Sequence, residues 1–328
     1  MRATTKSRSL WLIGAGSMAR EYSRVLLALG RTFTVIGRSE RSAAVFEKTV
    51  DVPVHRGGLA SALIDSDPPD MAIVAIGVDQ LAAVTSQLVE AGCGRLLVEK
   101  PAGINSEEIR LLQTSVEQTG ATVQVAYNRR HYASVATARR MIAEDGGITS
   151  CLFEVTERSE SIAELDKSQA EKASWFLANT SHVVDLVISL AGRPVELAAH
   201  NAGTLPWHQS GSQFVGAGLT ERGIPFSYHG DWEAPGRWGI EVCTRERRLV
   251  FRPIEELHMI VRGSETIVRV DIDDRLDREY KPGLFLQTVA FLEEDDRVVC
   301  NLADHHRNCE VYDQIAGYQR SNSVEVLP

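Results

Sequence analysis

Long apolar runs, paired cysteines and an excess of basic charge are all missing from this sequence of 328 residues. Nothing approaches the roughly 18 consecutive apolar residues that a membrane-spanning helix needs. The five cysteines (Cys93, Cys151, Cys243, Cys300, Cys309) are odd in number, far apart and without a CxxC pair. That excludes a disulfide framework and a zinc ribbon, and fits buried thiols in a reducing cytoplasm. Thirty-five Lys and Arg against 44 Asp and Glu give a formal charge of −9, which argues against a nucleic-acid partner. The N-terminal stretch MRATTKSRSLWLIGAG is basic, but its apolar run passes straight into a glycine-rich turn. It lacks the apolar region and cleavage site of a signal peptide. What remains is ordinary globular composition, 44% hydrophobic and 24% charged, enough for two cores.

Periodicity divides the chain. From Leu10 to Ala126 short apolar runs (Leu10–Ile13, Phe33–Ile36, Met71–Ile76, Leu96–Val98, Thr122–Ala126) alternate with amphipathic helices. Runs without alternation are strands buried on both faces, so residues 1–126 are expected to form a doubly wound α/β domain with a parallel sheet. Met18–Leu29, Asp79–Ala91 and Ser106–Gln118 are its predicted helices, the last with Asn105 as N-cap. Residues 127–328 change rhythm. The spacing predicts a helix at Ser134–Ala143, a strand at Ile148–Glu157 and a helix near Thr180–Leu190. Phe226–Trp232, Trp238–Cys243, Leu249–Pro253, His258–Arg262 and Thr266–Asp271 follow as strands, and helices near Gly283–Glu294 and Arg307–Tyr318 close the chain. This is the pattern of an α+β domain with an open, mostly antiparallel sheet.

Trp11 to Ala19 reads as a strand, a GxGxxA turn and the start of a helix. Gly14 permits the tight turn, Gly16 lets backbone approach a pyrophosphate, and Ala19 lets the helix pack on the strand. The N–H groups of Ser17, Met18 and Ala19 then face the anion. At the end of the second strand, where an acidic residue would hold a ribose 2′-hydroxyl, the sequence has Gly37, Arg38 and Ser39. A guanidinium and a hydroxyl suit a 2′-phosphate, which predicts NADP over NAD.

Three further segments carry chemistry: Val98-Glu99-Lys100-Pro101 at a strand end, Tyr127-Asn128-Arg129-Arg130, and WFLANTSHVVD from Trp175 to Asp185. With the glycine turn, and in this order, they resemble the Gfo/Idh/MocA oxidoreductases over essentially the whole chain. The resemblance implies that Glu99 and Lys100 lie at the cofactor and that Lys100 contacts the reacting hydroxyl. It also raises the chance of a cis bond before Pro101. The histidine of the family's DxGxHxxD pattern matches His182 and its last aspartate matches Asp185. The first aspartate is replaced by Ala178 and the glycine by Ser181. That departure removes one member of a Lys–Asp–His trio.

Oxidising a secondary alcohol requires a group that takes the hydroxyl proton as a hydride leaves. The expected catalytic residues are His182, as acid/base, and Lys100, polarising the oxygen. Asn128, Arg129, Trp175, Asn179 and Asp185 are the expected substrate contacts. Asp185, one turn from His182, would either orient the imidazole or bond a backbone N–H. Arg130 divides between substrate and a structural salt bridge, and Trp175 between a sugar platform and the core. Arg129, Arg130, Trp207 and His208 would accommodate an anionic substrate. Asp304, His305, His306 and Cys309 have metal-ligand chemistry, but no second cluster completes a site, and no metal is expected. The sequence, with the resemblance, therefore reads as a two-domain, NADP-preferring dehydrogenase or reductase for a sugar, polyol or nucleotide-linked sugar. The resemblance also implies a link to bacterial surface-glycan synthesis and a homo-dimer or homo-tetramer. A cytoplasmic location without nucleic-acid or membrane partners is expected. The alternative is a non-catalytic pyridine-nucleotide-binding regulator.

Overall fold

The computed structural model describes residues 8–318; most of the basic N-terminal stretch lies outside them. The chain forms two compact units, one up to Tyr127 together with Glu279–His306, the other from Asn128 to Arg278 and onward from Arg307.

The first unit is built on six parallel strands: β1 (Leu10–Ile13), β2 (Thr34–Ile36), β3 (Val54–His55), β4 (Met71–Val74), β5 (Arg95–Val98) and β6 (Thr122–Val125). Their order is β6-β5-β4-β1-β2-β3, and the two-residue strand Cys300–Asn301 adds antiparallel to β6. Every residue of β1, β4 and β5 is buried, which is why these strands read as unbroken apolar runs. The chain winds outward from β1 in one direction and from β4 in the other. Their junction is the topological switch point, where open α/β sheets bind ligands. Helix Ser17–Ala28 buries Ala19, Tyr22, Val25 and Leu26.

The sequence assigns all of 127–328 to the second domain, but Tyr127 and Glu279–His306 belong with the first unit. Helix Leu284–Glu293 puts Leu284 and Phe291 into the first core. The buried Arg95 guanidinium reaches Asp296 at 2.6 Å, and Gln124 donates to the same carboxylate at 2.7 Å. Strand β3 and helices Glu40–Val50 and Gly58–Asp65 were not foreseen. The final helix starts at Leu302, earlier than expected, because Asn301 caps it by accepting the Asp304 N–H at 2.7 Å.

The second unit carries an eight-stranded sheet: β7 (Ser150–Glu154), β8 (Pro194–Ala202), β9 (Gln213–Thr220), β10 (Pro225–Asp231), β11 (Gly239–Cys243), β12 (Arg247–Phe251), β13 (His258–Val261) and β14 (Val268–Arg269). The order is β14-β13-β12-β11-β7-β10-β9-β8, antiparallel except where β7 and β10 run parallel. Burial alternates along β7 and β10, so one face is covered. Helix Ser181–Ala191, buried at every residue but Ser189, packs against β7 and β11 on that face. It is entered through a π-helical turn, Phe176–Thr180. Such turns insert a residue into the helical ladder and recur at functional sites.

Candidate active site

In the first unit the GxGxxA turn lies at the switch point. Gly14 has φ +117, and a Cβ there would sit 2.2 Å from the Ala75 carbonyl oxygen at the end of β4. Only glycine fits, and the constraint comes from the protein's own backbone. Gly16 is different, because its Cβ would meet nothing within 4 Å. Helix Ser17–Ala28 begins there with no side-chain cap and no acidic residue in its first turn. Helices Glu40–Val50 and Ser106–Thr119 are instead capped by Ser39 and Asn105. An uncapped N-terminus under open space offers the Ser17, Met18 and Ala19 N–H groups and the positive end of a helix dipole. These residues fit a dinucleotide pyrophosphate.

At the end of β2 the absence of a carboxylate has a packing cause. A Cβ on Gly37 would come 2.7 Å from Val54 Cγ1, and the Gly37 N–H donates to His55 O at 2.9 Å. Arg38 is exposed and has no carboxylate partner among the described residues. Ser39 accepts the Ser42 N–H at 3.3 Å, which leaves its hydroxyl proton free to donate outward. The nearby Glu40 is paired with Arg56 at 2.9 Å.

After β5 the chain turns through Glu99 and Lys100 into a cis Lys100–Pro101 bond. Tyr22 donates to Glu99 Oε1 at 2.9 Å. Burial raises the Glu99 carboxyl above its ordinary pKa, against the opposing pull of Lys100. Pro101 O is held by His305 Nε2 at 2.8 Å, and Tyr127 Oη lies 3.4 Å from His305 Nδ1. His305 thus braces this turn, which accounts for a residue that sequence spacing placed among metal-ligand types. Cys309 is buried, and no group of three or more metal-ligating side chains occurs among the described residues.

The second unit contains a cavity of about 610 Å³, within the usual range for small-molecule sites. Arg129, Trp175 and Asn179, three of the five expected substrate contacts, line it. Glu157, Arg158, Arg237, Trp238 and Glu255 line it too, and the sequence motifs did not identify them. Glu157 organises the wall: its Oε1 accepts from Thr180 Oγ1 at 2.7 Å, Asn179 Nδ2 at 2.9 Å and Trp175 Nε1 at 3.3 Å. The π-helical turn brings Asn179 and Thr180 together on that oxygen. Ala178, where the family motif has an aspartate, is buried in the same turn. A carboxylate is therefore present at the cavity, supplied from beyond β7 rather than from the helix. Its sequence signal was position alone, the polar residue that closes the expected strand Ile148–Glu157, three residues beyond where β7 ends.

His182 is buried and does not line the cavity, but its ring lies 6.3 Å from that of Trp238, which does. Asn128 is buried and is also not among the lining residues. Asp185, expected to touch substrate, is instead gripped by Arg130 through Nε–Oδ2 at 2.8 Å and Nη2–Oδ1 at 2.7 Å. At 1% exposure its carboxylate forms a buried, bidentate ion pair with Arg130, the salt-bridge arrangement rather than an open substrate contact. His208 is likewise no anion contact. It is fully buried against Trp232, Phe214 and Tyr318, and burial pushes its pKa down to about 4.

Residues 9–127 match the model of a family described as oxidoreductases with an NAD-binding Rossmann fold, the Gfo/Idh/MocA family. Rabbit (Oryctolagus cuniculus) trans-1,2-dihydrobenzene-1,2-diol dehydrogenase is 26% identical over 138 residues, which span 40% of this chain and 41% of that enzyme. Among solved structures, UDP-N-acetylglucosamine 3-dehydrogenase from Acidithiobacillus ferrooxidans matches with a TM-score of 0.72 at 17% identity, covering 94% of this chain and 96% of that one. Levoglucosan dehydrogenase in complex with NADH and L-sorbose matches with a TM-score of 0.77 at 16% identity, covering 95% and 96%. These likenesses establish the fold of both units.

Proposed function

Given that residues 9–127 belong to the Gfo/Idh/MocA oxidoreductase family, with its NAD-binding Rossmann fold, we propose that the chain is a dehydrogenase or reductase. Its substrate is the secondary alcohol or ketone of a sugar, polyol or nucleotide-linked sugar, and NADP is preferred to NAD. The observation that carries this reading is the uncapped, acid-free helix N-terminus under the open space at Gly16. The names of the two sugar dehydrogenases that share the fold support the substrate class.

When bound, the nicotinamide cofactor supplies the acceptor or donor of the carbon-bound hydride. The side chains handle the proton and the orientation. Lys100 polarises the reacting oxygen and His182 takes or returns the proton on an imidazole nitrogen. Glu157, fixed through one oxygen, orients a substrate hydroxyl, and Trp175 and Asn179 hold it in place. Glu99 supports the Lys100 turn. Arg38 and Ser39 receive the 2′-phosphate, where Gly37 leaves no carboxylate to repel it. The second unit binds substrate and, through exposed apolar residues such as Val195 and Val215 on its sheet, forms a homo-dimer or homo-tetramer. The unpaired cysteines suit the cytoplasm.

The test is reduction of NADP or NAD by a panel of sugars, polyols and nucleotide sugars. Turnover falling about a hundredfold or more in Lys100→Met and in His182→Ala supports the assignment. Tight cofactor binding with no turnover anywhere on the panel favours a non-catalytic regulator.

A further inference from the structure

Three arginines and two glutamates line the second-unit cavity, and their pairing is uneven. Arg237 approaches Glu255 at 3.8 Å. Neither Arg129 nor Arg158 has a carboxylate partner among the described residues. Arg158 is exposed, as an unpaired arginine usually is. Arg129 is half-buried, with its Cζ 4.8 Å from the centre of the Trp238 ring and 6.0 Å from that of Tyr132. Its neighbour Arg130 shows the usual solution for a buried guanidinium, a bidentate aspartate. Arg129 has aromatic faces instead. These stabilise the cation without using any of its N–H donors, which remain available in the plane of the group. Desolvating a charge without a counter-charge is unfavourable, so such an arginine at a cavity wall is poised for an anion.

We propose that this cavity takes the anionic group, carboxylate or phosphate ester, of a charged sugar, with Arg129 as the principal contact and Arg158 as the second. The sugar rests on the dehydrogenase reading above; the charge rests on Arg129 alone. Glu157 restricts where the anion sits, because a second negative group beside it would be repelled. The anion therefore lies at the Arg129–Arg158 side and the hydroxyls lie at the Glu157 side.

The test is calorimetric titration of the intact protein with D-glucuronate, D-glucose 6-phosphate, inorganic phosphate and D-glucose. At least one anionic sugar binds about tenfold or more tightly than glucose, and whichever it is identifies a carboxylate or a phosphate as the source. Arg129→Gln weakens that ligand about ten- to hundredfold and leaves glucose unchanged. Arg129→Lys, which keeps the charge but loses the planar fork, recovers part of the loss. Equal binding of glucose and both anionic sugars, no binding of any probe at millimolar concentration, or an unchanged anion affinity in folded Arg129→Gln overturns the proposal. Turnover is scored separately. Arg129-dependent anion binding without hydride transfer anywhere on the panel of sugars, polyols and nucleotide sugars counts against the dehydrogenase reading and leaves the anion site. Neutral-sugar turnover indifferent to Arg129 does the reverse.

Discussion

In the first unit the part of the candidate cofactor site that faces the pyrophosphate is made of backbone, from one continuous stretch, Gly14 to Ala19. In the second the cavity is made of side chains from separated stretches: Arg129, Glu157 and Arg158, Trp175 and Asn179, Arg237 and Trp238, and Glu255. A site of backbone donors constrains residue type at a few glycines and is visible as a motif. A site of side chains depends on strands and helices meeting, and each residue looks ordinary in its local context.

The same contrast separates neighbours. Arg130 is paired with Asp185, whereas Arg129 lies over the Trp238 ring and is the proposed binding group. The largest effect should come from Asp185→Asn, which removes the counter-charge of a buried guanidinium and costs about 3–5 kcal/mol in chemical denaturation. Arg129→Gln should cost under about 1 kcal/mol. Equal losses in the two variants would mean that Arg129 is also structural.

Gly14→Ala should lose about 3 kcal/mol, since its Cβ collides with the Ala75 carbonyl. Gly16→Ala should stay within about 0.5 kcal/mol of the parent while weakening nucleotide binding. The pair separates folding from binding within one turn, and identical stability losses would erase that distinction.

His208 gives a pH signature to the second unit. Its folded pKa of about 4 lies below the ordinary 6.5, so the unfolded chain binds the extra proton between those values. The stability it contributes is complete above about pH 6.5 and is lost as pH falls toward 4, by up to about 3 kcal/mol. Denaturation midpoints across that window should fall less steeply in His208→Gln.

The smallest effect is kinetic. Glu157→Gln should raise KM about tenfold for the sugar substrate with little change in the denaturation midpoint. An unchanged KM would remove Glu157 from the substrate wall.

Sequence patterning recovered most of the first unit because β1, β4 and β5 are buried on both faces and the helices between them carry clear apolar stripes. It missed β3, only two residues long, the helices Glu40–Val50 and Gly58–Asp65 on either side of it, and the return of Glu279–His306, which is decided by distant contacts such as Arg95 with Asp296. In the second unit β8 and β9 escaped notice because PVELAAHNA and QFVGAGLT are rich in alanine and glycine. The reason is steric: at Gly216 and Gly218 a Cβ would run into β8 carbonyls and the rings of Tyr228 and Phe226. Glu157 was illegible for a related reason. The family motif has its acid on the helix, where this chain has Ala178, whereas the cavity's Glu157 lies just beyond the end of β7.

The central claim is that the Gly14–Ala19 turn binds a pyridine dinucleotide whose 2′-phosphate meets Arg38. Titration of the ligand-free protein with NADPH and with NADH, followed by tryptophan fluorescence, tests it most directly. The account predicts binding of both, NADPH tighter by tenfold or more (about 1.4 kcal/mol), with that preference gone in Arg38→Ala. Tighter NADH would contradict the Arg38 assignment, and binding of neither would contradict the functional reading as a whole.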